Sequence, residues 1–195
     1  REDQLRGFAW HAELARELDK PLIVHSRDAH QDTLDVLRAV PGVRGLPGRP
    51  AGRGGARGGV GGEGGAHHPT AVRETLSGIR ARYGDRRIWA VFEPRSNTSR
   101  RNIHQAEYAA AFHDADIVVI NVPEPHDKVP ADQRLDVDTV VRQIAAGGIE
   151  AHAVAEVPAI VEIVAGGARS GDLVLVMSNG AFGGLIPLLL AALGR

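Results

Sequence analysis

Short apolar runs alternate with helical patterns over residues 67–195, and this alternation constrains the fold more than any other feature. The runs are Ile88–Glu93, Ile117–Asn121, Ile149–Val154 and Leu173–Met177. Short continuous apolar runs predict strands buried on both faces, as in a parallel sheet. Periodic apolar positions predict helices between them: one that Thr70 caps and that runs to Tyr83, then Ile103–Ala115, Val137–Ala146, Val157–Ala165 and Phe182–Leu193. We therefore predict an α/β fold, a Rossmann-like parallel sheet with helices on both faces.

The first 66 residues are organised differently. Residues 1–40 show a helix, a strand and a helix, with the strand at Leu22–Val24 just before His25. In residues 41–66, 12 of 26 residues are glycine and four are arginine, so this stretch cannot bury enough apolar surface to offset its ordering entropy. We predict a disordered linker over 41–66, and no fixed orientation of segment 1–40 relative to the domain at 67–195.

Composition excludes several classes of function. The hydrophobic share of 43% is enough for a core, and a net charge of −1 does not favour a nucleic-acid or membrane binder. The chain has no cysteine, which excludes disulfides, thiolate zinc sites and a cysteine nucleophile. No apolar stretch approaches the roughly 20 residues that span a bilayer. We expect a cytoplasmic monomer without a signal peptide and, since the sequence starts at Arg1, a fragment of a longer chain.

Two polar turns follow predicted strands, where parallel α/β sheets bind ligands. The turn PRSNTSRR offers arginines and hydroxyls for an anion, and SNGAFGG lets a ligand approach the backbone. A solvated basic turn and a tight glycine turn are the alternative interpretations. The loop after Asn121, with Glu124, His126, Asp127 and Lys128, either contacts substrate or is solvated. The candidate substrate-binding residues are Arg95, Asn97, Thr98, Arg100, Ser178, Asn179, Gly180 and Phe182.

Two adjacent histidines, His67 and His68, precede Pro69 at the start of the first helix of the domain. A helix N-terminus has free N–H groups and a partial positive charge. Two imidazoles beside it suit a phosphate or a metal site, and they are also typical of a polar turn at a helix start. The residues alone leave these interpretations open.

Four motifs in order, AHHPTAVRETL, WAVFEPRSNTSRR, DKVP and LVMSNGAFGG, resemble the C-terminal domain of the Mur ligase family, especially its murein-peptide ligases. The resemblance covers residues 66–194. It implies a domain that brings a murein peptide to a UDP-muramyl precursor in an amide ligase of peptidoglycan synthesis or recycling. It also implies that His67 and His68 are catalytic groups near the phosphates, where charge accumulates during the reaction.

This sequence departs from the family pattern in two places. The family reads Asp-Asp-aromatic-Ala before the histidines, whereas this chain has Glu63-Gly64-Gly65-Ala66. The sequence also contains no GxxxxGK[ST] phosphate loop. ATP and Mg²⁺ are cofactors of the family, but we expect this chain alone to bind neither tightly and to hydrolyse no ATP.

Residues 1–40 resemble a fragment of the TatD family, metal-dependent deoxyribonucleases with a TIM barrel. The histidine that matches His25, in IVHSRDA, is a metal ligand in that family. A barrel site draws ligands from several strand ends, and a catalytic metal usually has three protein ligands. We therefore expect no metal site, with His25 a ligand only on the TatD interpretation. Pieces of two unrelated families suggest a fused or frame-shifted gene product.

Two alternative functions follow from the front of the chain. One is a remnant of a TatD-like metal-dependent hydrolase. The other is an RNA-binding segment, because Arg/Gly-rich stretches such as GRPAGRGGARGG bind RNA through charge and stacking. This stretch contains no aromatic residue and the chain is nearly neutral, so nucleic acid is not the partner that we expect.

Overall fold

The computed structural model describes the backbone of residues 22–26 and residues 68–124 and 129–193. The described strands are β1 (Leu22–Ser26), β2 (Ile88–Phe92), β3 (Ile117–Asn121), β4 (Glu150–Val154) and β5 (Leu173–Met177). The described α-helices are α1 (Pro69–Tyr83), α2 (Gln105–Ala111), α3 (Val137–Ala146), α4 (Val157–Gly167) and α5 (Leu185–Leu193). The predicted helices of segment 1–40 and the linker 41–66 lie outside these ranges.

The five strands form one parallel sheet in the order β1-β5-β2-β3-β4. Helices α1, α2 and α3 cover one face through residues such as Leu76, Tyr108 and Val140. Helices α4 and α5 cover the other face through Ile160 and Leu189. The predicted Rossmann-like fold is confirmed. No helix within the described ranges is long and apolar enough to cross a membrane.

Four of the five described helices differ from their predicted bounds, and α4 ends at Gly167 rather than at Ala165. The cap of α1 is His68, whose Nδ1 accepts from the backbone N–H of Thr70 at 3.2 Å, because Pro69 already occupies the first helical position. The helix predicted at 103–115 starts with a 3₁₀ turn at Asn102–His104 and ends at Ala111. The last helix starts at Leu185, since Gly183 and Gly184 have φ of +55° and +76° and interrupt the helical backbone before it.

Strand β1 pairs with β5 in parallel along its whole length, from Leu22 opposite Leu173 to Ser26 opposite Met177. The expectation of no fixed orientation between the front segment and the domain is therefore wrong for this strand. The physical reason is that an edge strand has a row of unpaired backbone N–H and C=O groups. The five extended residues of β1 pair with these backbone groups along one side of β5.

A buried carboxylate ties together the amino ends of β2 and β5. One oxygen of Asp172 accepts from Arg87 Nε at 3.0 Å, Arg87 Nη2 at 2.7 Å, Trp89 Nε1 at 2.9 Å and the backbone N–H of Arg169 at 2.9 Å. Burial alone would raise the pKa of Asp172, but the hydrogen bonds from Arg87, Arg169 and Trp89 outweigh it and lower this pKa below its usual value.

Asp172→Asn should lower the free energy of unfolding by about 3 kcal/mol at neutral pH, because it leaves the Arg87 guanidinium without its partner charge. The lowered pKa of Asp172 means that its contribution is complete above the unfolded-state pKa of about 3.9. The contribution is lost as the pH falls below about 4 towards the folded-state value. Urea unfolding of both chains across pH 3–7 measures this.

Exposed Glu162 on α4 provides a charge-matched control, and Glu162→Gln should change the free energy of unfolding by less than about 0.5 kcal/mol. The role of Asp172 would be contradicted if Asp172→Asn lowered the free energy of unfolding no more than Glu162→Gln does. It would also be contradicted if the loss caused by Asp172→Asn grew as the pH falls.

A chain that starts at residue 64 should keep its fold, because, among the residues whose side chains the structure describes, both apolar clusters are built from residues 72–189. It lacks β1, so β5 becomes an open edge that another chain can pair with. We expect the truncated chain to self-associate at concentrations at which the full chain does not, measured by sedimentation velocity. A truncated chain that sediments as a monomer, with an unchanged midpoint of urea unfolding, would show that β1 does not protect this edge.

Candidate functional site

The carboxyl ends of β2 and β5 lie side by side. Phe92 is opposite Met177 in the parallel register, and the backbone N–H of Glu93 donates to the carbonyl of Met177 at 3.0 Å. The arginine-rich turn after β2 and the glycine-rich turn after β5 therefore leave the sheet at the same edge. The structure brings together two turns that are far apart in sequence.

A hydrogen-bond network centred on Glu93 connects the two turns. The hydroxyl of Ser178, which is fully buried, donates to one carboxylate oxygen of Glu93 and accepts from the backbone N–H of Gly180 at 3.0 Å. The other oxygen of Glu93 lies 3.4 Å from Nη1 of Arg95. The side chain of Glu93 is 12% exposed and that of Arg95 is 49% exposed, so the guanidinium faces solvent beside a largely buried carboxylate.

Gly180 lets Arg95 take this position. A Cβ added at Gly180 would lie 2.8 Å from Cζ and Nε of Arg95. Any larger residue at 180 would displace the guanidinium, which is the mobile end of a flexible side chain. Gly180 is therefore needed for the position of the Arg95 side chain and not for an unusual backbone conformation.

Asn179 contributes a polar atom that the described residues do not satisfy. Its Oδ1 is buried and has no hydrogen-bond partner among them, although more than nine in ten buried polar atoms in proteins are paired. An amide oxygen accepts from an N–H group, whereas the exposed guanidinium of Arg95 binds a carboxylate or phosphate. The edge therefore offers one group for an anion and one for a hydrogen-bond donor.

The other candidates in the arginine-rich turn are spread out. Asn97 and Thr98 are exposed, and the turn is held by the N–H of Ser99 donating to Ser96 Oγ at 3.0 Å. Arg100 lines a separate hollow of about 70 Å³ at the end of β3, together with Glu124 and Arg134. Its Nε is buried and has no hydrogen-bond partner among the residues that the structure describes. His126, Asp127 and Lys128 of the adjoining loop lie outside the described residues.

Phe182 lies in the apolar core on the side of α4 and α5, and 1% of its surface is exposed. Its φ is +45°, in the left-handed region that residues other than glycine rarely adopt. The structure therefore shows how Phe182 anchors the glycine-rich turn to the core. Its proposed contact with substrate stays a prediction.

His68 lies at the same edge as the two turns. Near the other end of α1, Arg80 bonds to Asp116, whose carboxylate also accepts from the N–H of Ile88 at the amino end of β2. The start of α1 is therefore at the carboxyl edge, and its first backbone N–H groups are bonded to His68: that of Thr70 to Nδ1, and those of Ala71 and Val72 to the carbonyl oxygen. His67 lies outside the described residues.

The imidazole of His68 belongs to a cluster that the sequence interpretation missed. The His68 and His104 rings meet edge to face, with centroids 4.5 Å apart. Nδ1 of His104 lies 3.3 Å from Oε1 of Glu107, and one ligand atom from each of the three side chains falls within 4.8 Å of the others. The spacing of His104 and Glu107, three residues apart on one helical face, was the signal in the sequence.

Comparison with known proteins identifies the part of the chain that carries this edge. The family model described as Mur ligase, glutamate ligase domain matches residues 64–180. The model described as TatD related DNase matches residues 1–47, of which the structure describes only the backbone of β1. Both resemblances that the sequence motifs suggested are therefore found.

Curated relatives match over the same part of the chain. The UDP-N-acetylmuramate–L-alanyl-γ-D-glutamyl-meso-2,6-diaminoheptandioate ligase of Escherichia coli is 36% identical over 132 residues, 67% of this chain and 26% of the relative. The UDP-N-acetylmuramate–L-alanine ligase of Streptomyces avermitilis is 34% identical over 131 residues, 67% of this chain and 28% of the relative. The chain thus spans about a quarter of the length of these relatives.

Two solved structures resemble the fold. One is a domain of a UDP-N-acetylmuramate:L-alanyl-γ-D-glutamyl-meso-diaminopimelate ligase from Haemophilus ducreyi, with a TM-score of 0.51 and 36% identity over 65% of this chain and 85% of that domain. The other is a murein peptide ligase from Psychrobacter arcticus, with a TM-score of 0.54 and 32% identity over 66% of this chain and 26% of that protein.

Ser178→Ala should lower the free energy of unfolding by about 2 kcal/mol, because it leaves the carboxylate of Glu93 and the N–H of Gly180 without their common partner. Gly180→Ala should cost less than about 1 kcal/mol, since only the end of the Arg95 side chain has to move. Urea unfolding of the two variants measures the difference. Equal penalties would mean that Ser178 does not organise this edge.

Proposed function

The chain belongs to the Mur ligase family through its glutamate ligase domain, and on this premise we propose that it takes the incoming peptide in an ATP-dependent ligase of peptidoglycan precursors. The amide formed would join a murein peptide to UDP-N-acetylmuramate, in the cytoplasm. This choice within the family is favoured by a relative and two solved structures whose names specify that peptide or that ligation.

The observation that carries the proposal is the pairing of unlike groups at one edge. Arg95 presents a half-exposed guanidinium, and Asn179 has a buried amide oxygen to which no described residue donates a hydrogen bond. A peptide has carboxylates that match a guanidinium and N–H groups that match an amide oxygen. The carboxylate of Glu93, held by Ser178, lies between the two turns and favours a ligand that also carries an amine.

The same edge does not fit ATP. Glu93 places a buried carboxylate at its centre, which would repel a triphosphate, and the sequence contains no phosphate loop. We therefore assign the nucleotide and its Mg²⁺ to parts of the ligase outside this chain and expect no ATP hydrolysis by the chain alone. In this proposal, Arg95 and Asn179 orient the peptide.

His68 would act on charge that develops at the reacting carbonyl. It lies at the carboxyl edge, beside the N-terminus of α1, where a hydrogen-bond donor and the helix dipole both stabilise negative charge. His67 precedes it in sequence and is proposed for the same role. Asn97, Thr98 and Arg100 are proposed as further substrate contacts from the turn after β2, and Gly180 and Phe182 as contacts from the turn after β5.

Complementation in trans tests the proposal. A murein-peptide ligase from which the C-terminal domain is removed should regain peptide-dependent phosphate release when this chain is added, and the chain alone should release none. Arg95→Ala should reduce the restored rate at least roughly 10-fold, since a charge-assisted hydrogen bond to the substrate is lost. Exposed Arg73 on α1 supplies the matched control, and Arg73→Ala should leave the rate unchanged.

A direct measurement of peptide binding distinguishes two reasons for failed complementation: the chain does not dock on the truncated ligase, or it does not bind the peptide. In titration calorimetry, the peptide L-alanyl-γ-D-glutamyl-meso-diaminopimelate should bind the full chain, and Arg95→Ala should weaken this binding. Peptide binding that is absent, or that Arg95→Ala does not alter, would overturn the assignment of the carboxyl edge as the peptide site.

A further inference from the structure

We propose that His68, His104 and Glu107 form a binding site for a divalent transition-metal ion of the Zn²⁺ class. The three side chains come from two segments: His68 lies at the start of α1, His104 ends the 3₁₀ turn before α2, and Glu107 lies in the first turn of α2. Their ligand atoms already lie within 4.8 Å of one another. The site does not depend on the proposed peptide ligation.

The distances fit an ion after a small adjustment. Ligand atoms around a tetrahedral Zn²⁺ with bonds of about 2.1 Å are about 3.4 Å apart, so no side chain has to move inward by more than roughly 1 Å. His68 and Glu107 are exposed and His104 is partly exposed, and thus side-chain rotation brings the atoms together without any change in the core. Three protein ligands leave at least one position open for water or a substrate atom.

His104 is already oriented as a metal ligand. Its Nδ1 lies 3.3 Å from Glu107 Oε1, close to the separation of about 3.4 Å between two ligand atoms on one tetrahedral ion. With the proton of the neutral ring on Nε2, the lone pair of Nδ1 and an oxygen of Glu107 can face the same ion. The affinity then depends on the charge of Glu107.

To bind an ion, His68 has to give up its hydrogen bond to Thr70. Its Nδ1 accepts from the backbone N–H of Thr70 at 3.2 Å and so caps α1. A metal on Nδ1 takes that lone pair, and a metal on Nε2 requires a proton on Nδ1. In both cases the cap bond to Thr70 is lost, and the amide environment of Thr70 reports directly on occupancy.

The ligand set selects the class of ion. Two imidazoles and one carboxylate suit Zn²⁺, Co²⁺ or Ni²⁺, whereas Mg²⁺ and Ca²⁺ prefer oxygen ligands. The partial positive charge at the N-terminus of α1 opposes any cation nearby, and the carboxylate of Glu107 compensates for it. A hollow lined by His104, Glu107 and Gln143 adjoins the cluster and gives solvent access to the open position.

Titration of the full chain with ZnCl₂ and CoCl₂ at pH 7.5, in 5 mM MgCl₂, tests the site. We expect one equivalent of Zn²⁺ that His104→Ala removes or weakens at least roughly 10-fold, and that Glu107→Gln weakens about 10-fold. Zn²⁺ should also shift the amide resonance of Thr70 in a ¹H–¹⁵N spectrum. Co²⁺ should give visible absorption with the same stoichiometry.

Two further variants exclude trivial explanations. His68→Asn keeps a capping oxygen for α1 but lacks the imidazole, so it should unfold normally and lose the bound equivalent. His152 and Glu150 on β4 form a similar surface pair at 2.9 Å, but among the described residues they are not part of a three-residue cluster. His152→Ala should therefore leave the Zn²⁺ affinity within about twofold of wild type. Zn²⁺ binding that persists in both His104→Ala and His68→Asn, or that is absent below millimolar concentration, would overturn the site.

Discussion

The parallel pairing of β2 with β5 is the constraint on which the carboxyl edge depends. The register places Phe92 opposite Met177, and the residues that follow, Glu93 and Ser178, leave the sheet side by side. Both side chains are shielded from water, and a hydrogen bond between them is stronger there than in solvent. That bond fixes the start of each turn, and Arg95 and Asn179 take their positions from it.

Much of the fold could be predicted because local sequence and tertiary packing agree. The predicted bounds of β3, α3 and β5 match the structure residue for residue. In β3 and β5 the apolar run is buried on both faces, so the sequence pattern coincides with the strand. In α3 the side chain of Asp136 caps the first turn by accepting from the N–H of Thr139, and Gly147 follows the last.

The parts that could not be predicted depend on contacts between distant segments. Nothing local in Leu22–Ser26 specifies β5 as its partner, because any extended segment can satisfy an open edge. His68 meets His104 only because α1 and α2 pack on the same face of the sheet. The sequence predicts Glu93 only as the last residue of a strand. Its place in the hydrogen-bond network depends on Ser178, which follows the neighbouring strand β5. The sequence does predict the two turns as binding sites, because parallel α/β sheets generally bind ligands at the carboxyl ends of their strands.

The two carboxylates at the amino edge of the sheet are satisfied within the protein, whereas the carboxyl edge keeps an amide oxygen that a ligand can use. At the amino edge, one oxygen of Asp172 accepts four hydrogen bonds, and Asp116 joins Arg80 to the backbone of β2. Such groups gain little from a further partner. At the carboxyl edge, Oδ1 of Asn179 is buried and has no partner within the described part of the chain, a state that costs about 1–3 kcal/mol in the free protein. A ligand that supplies the missing donor recovers this free energy on binding, so the same atom that weakens the free domain favours the complex.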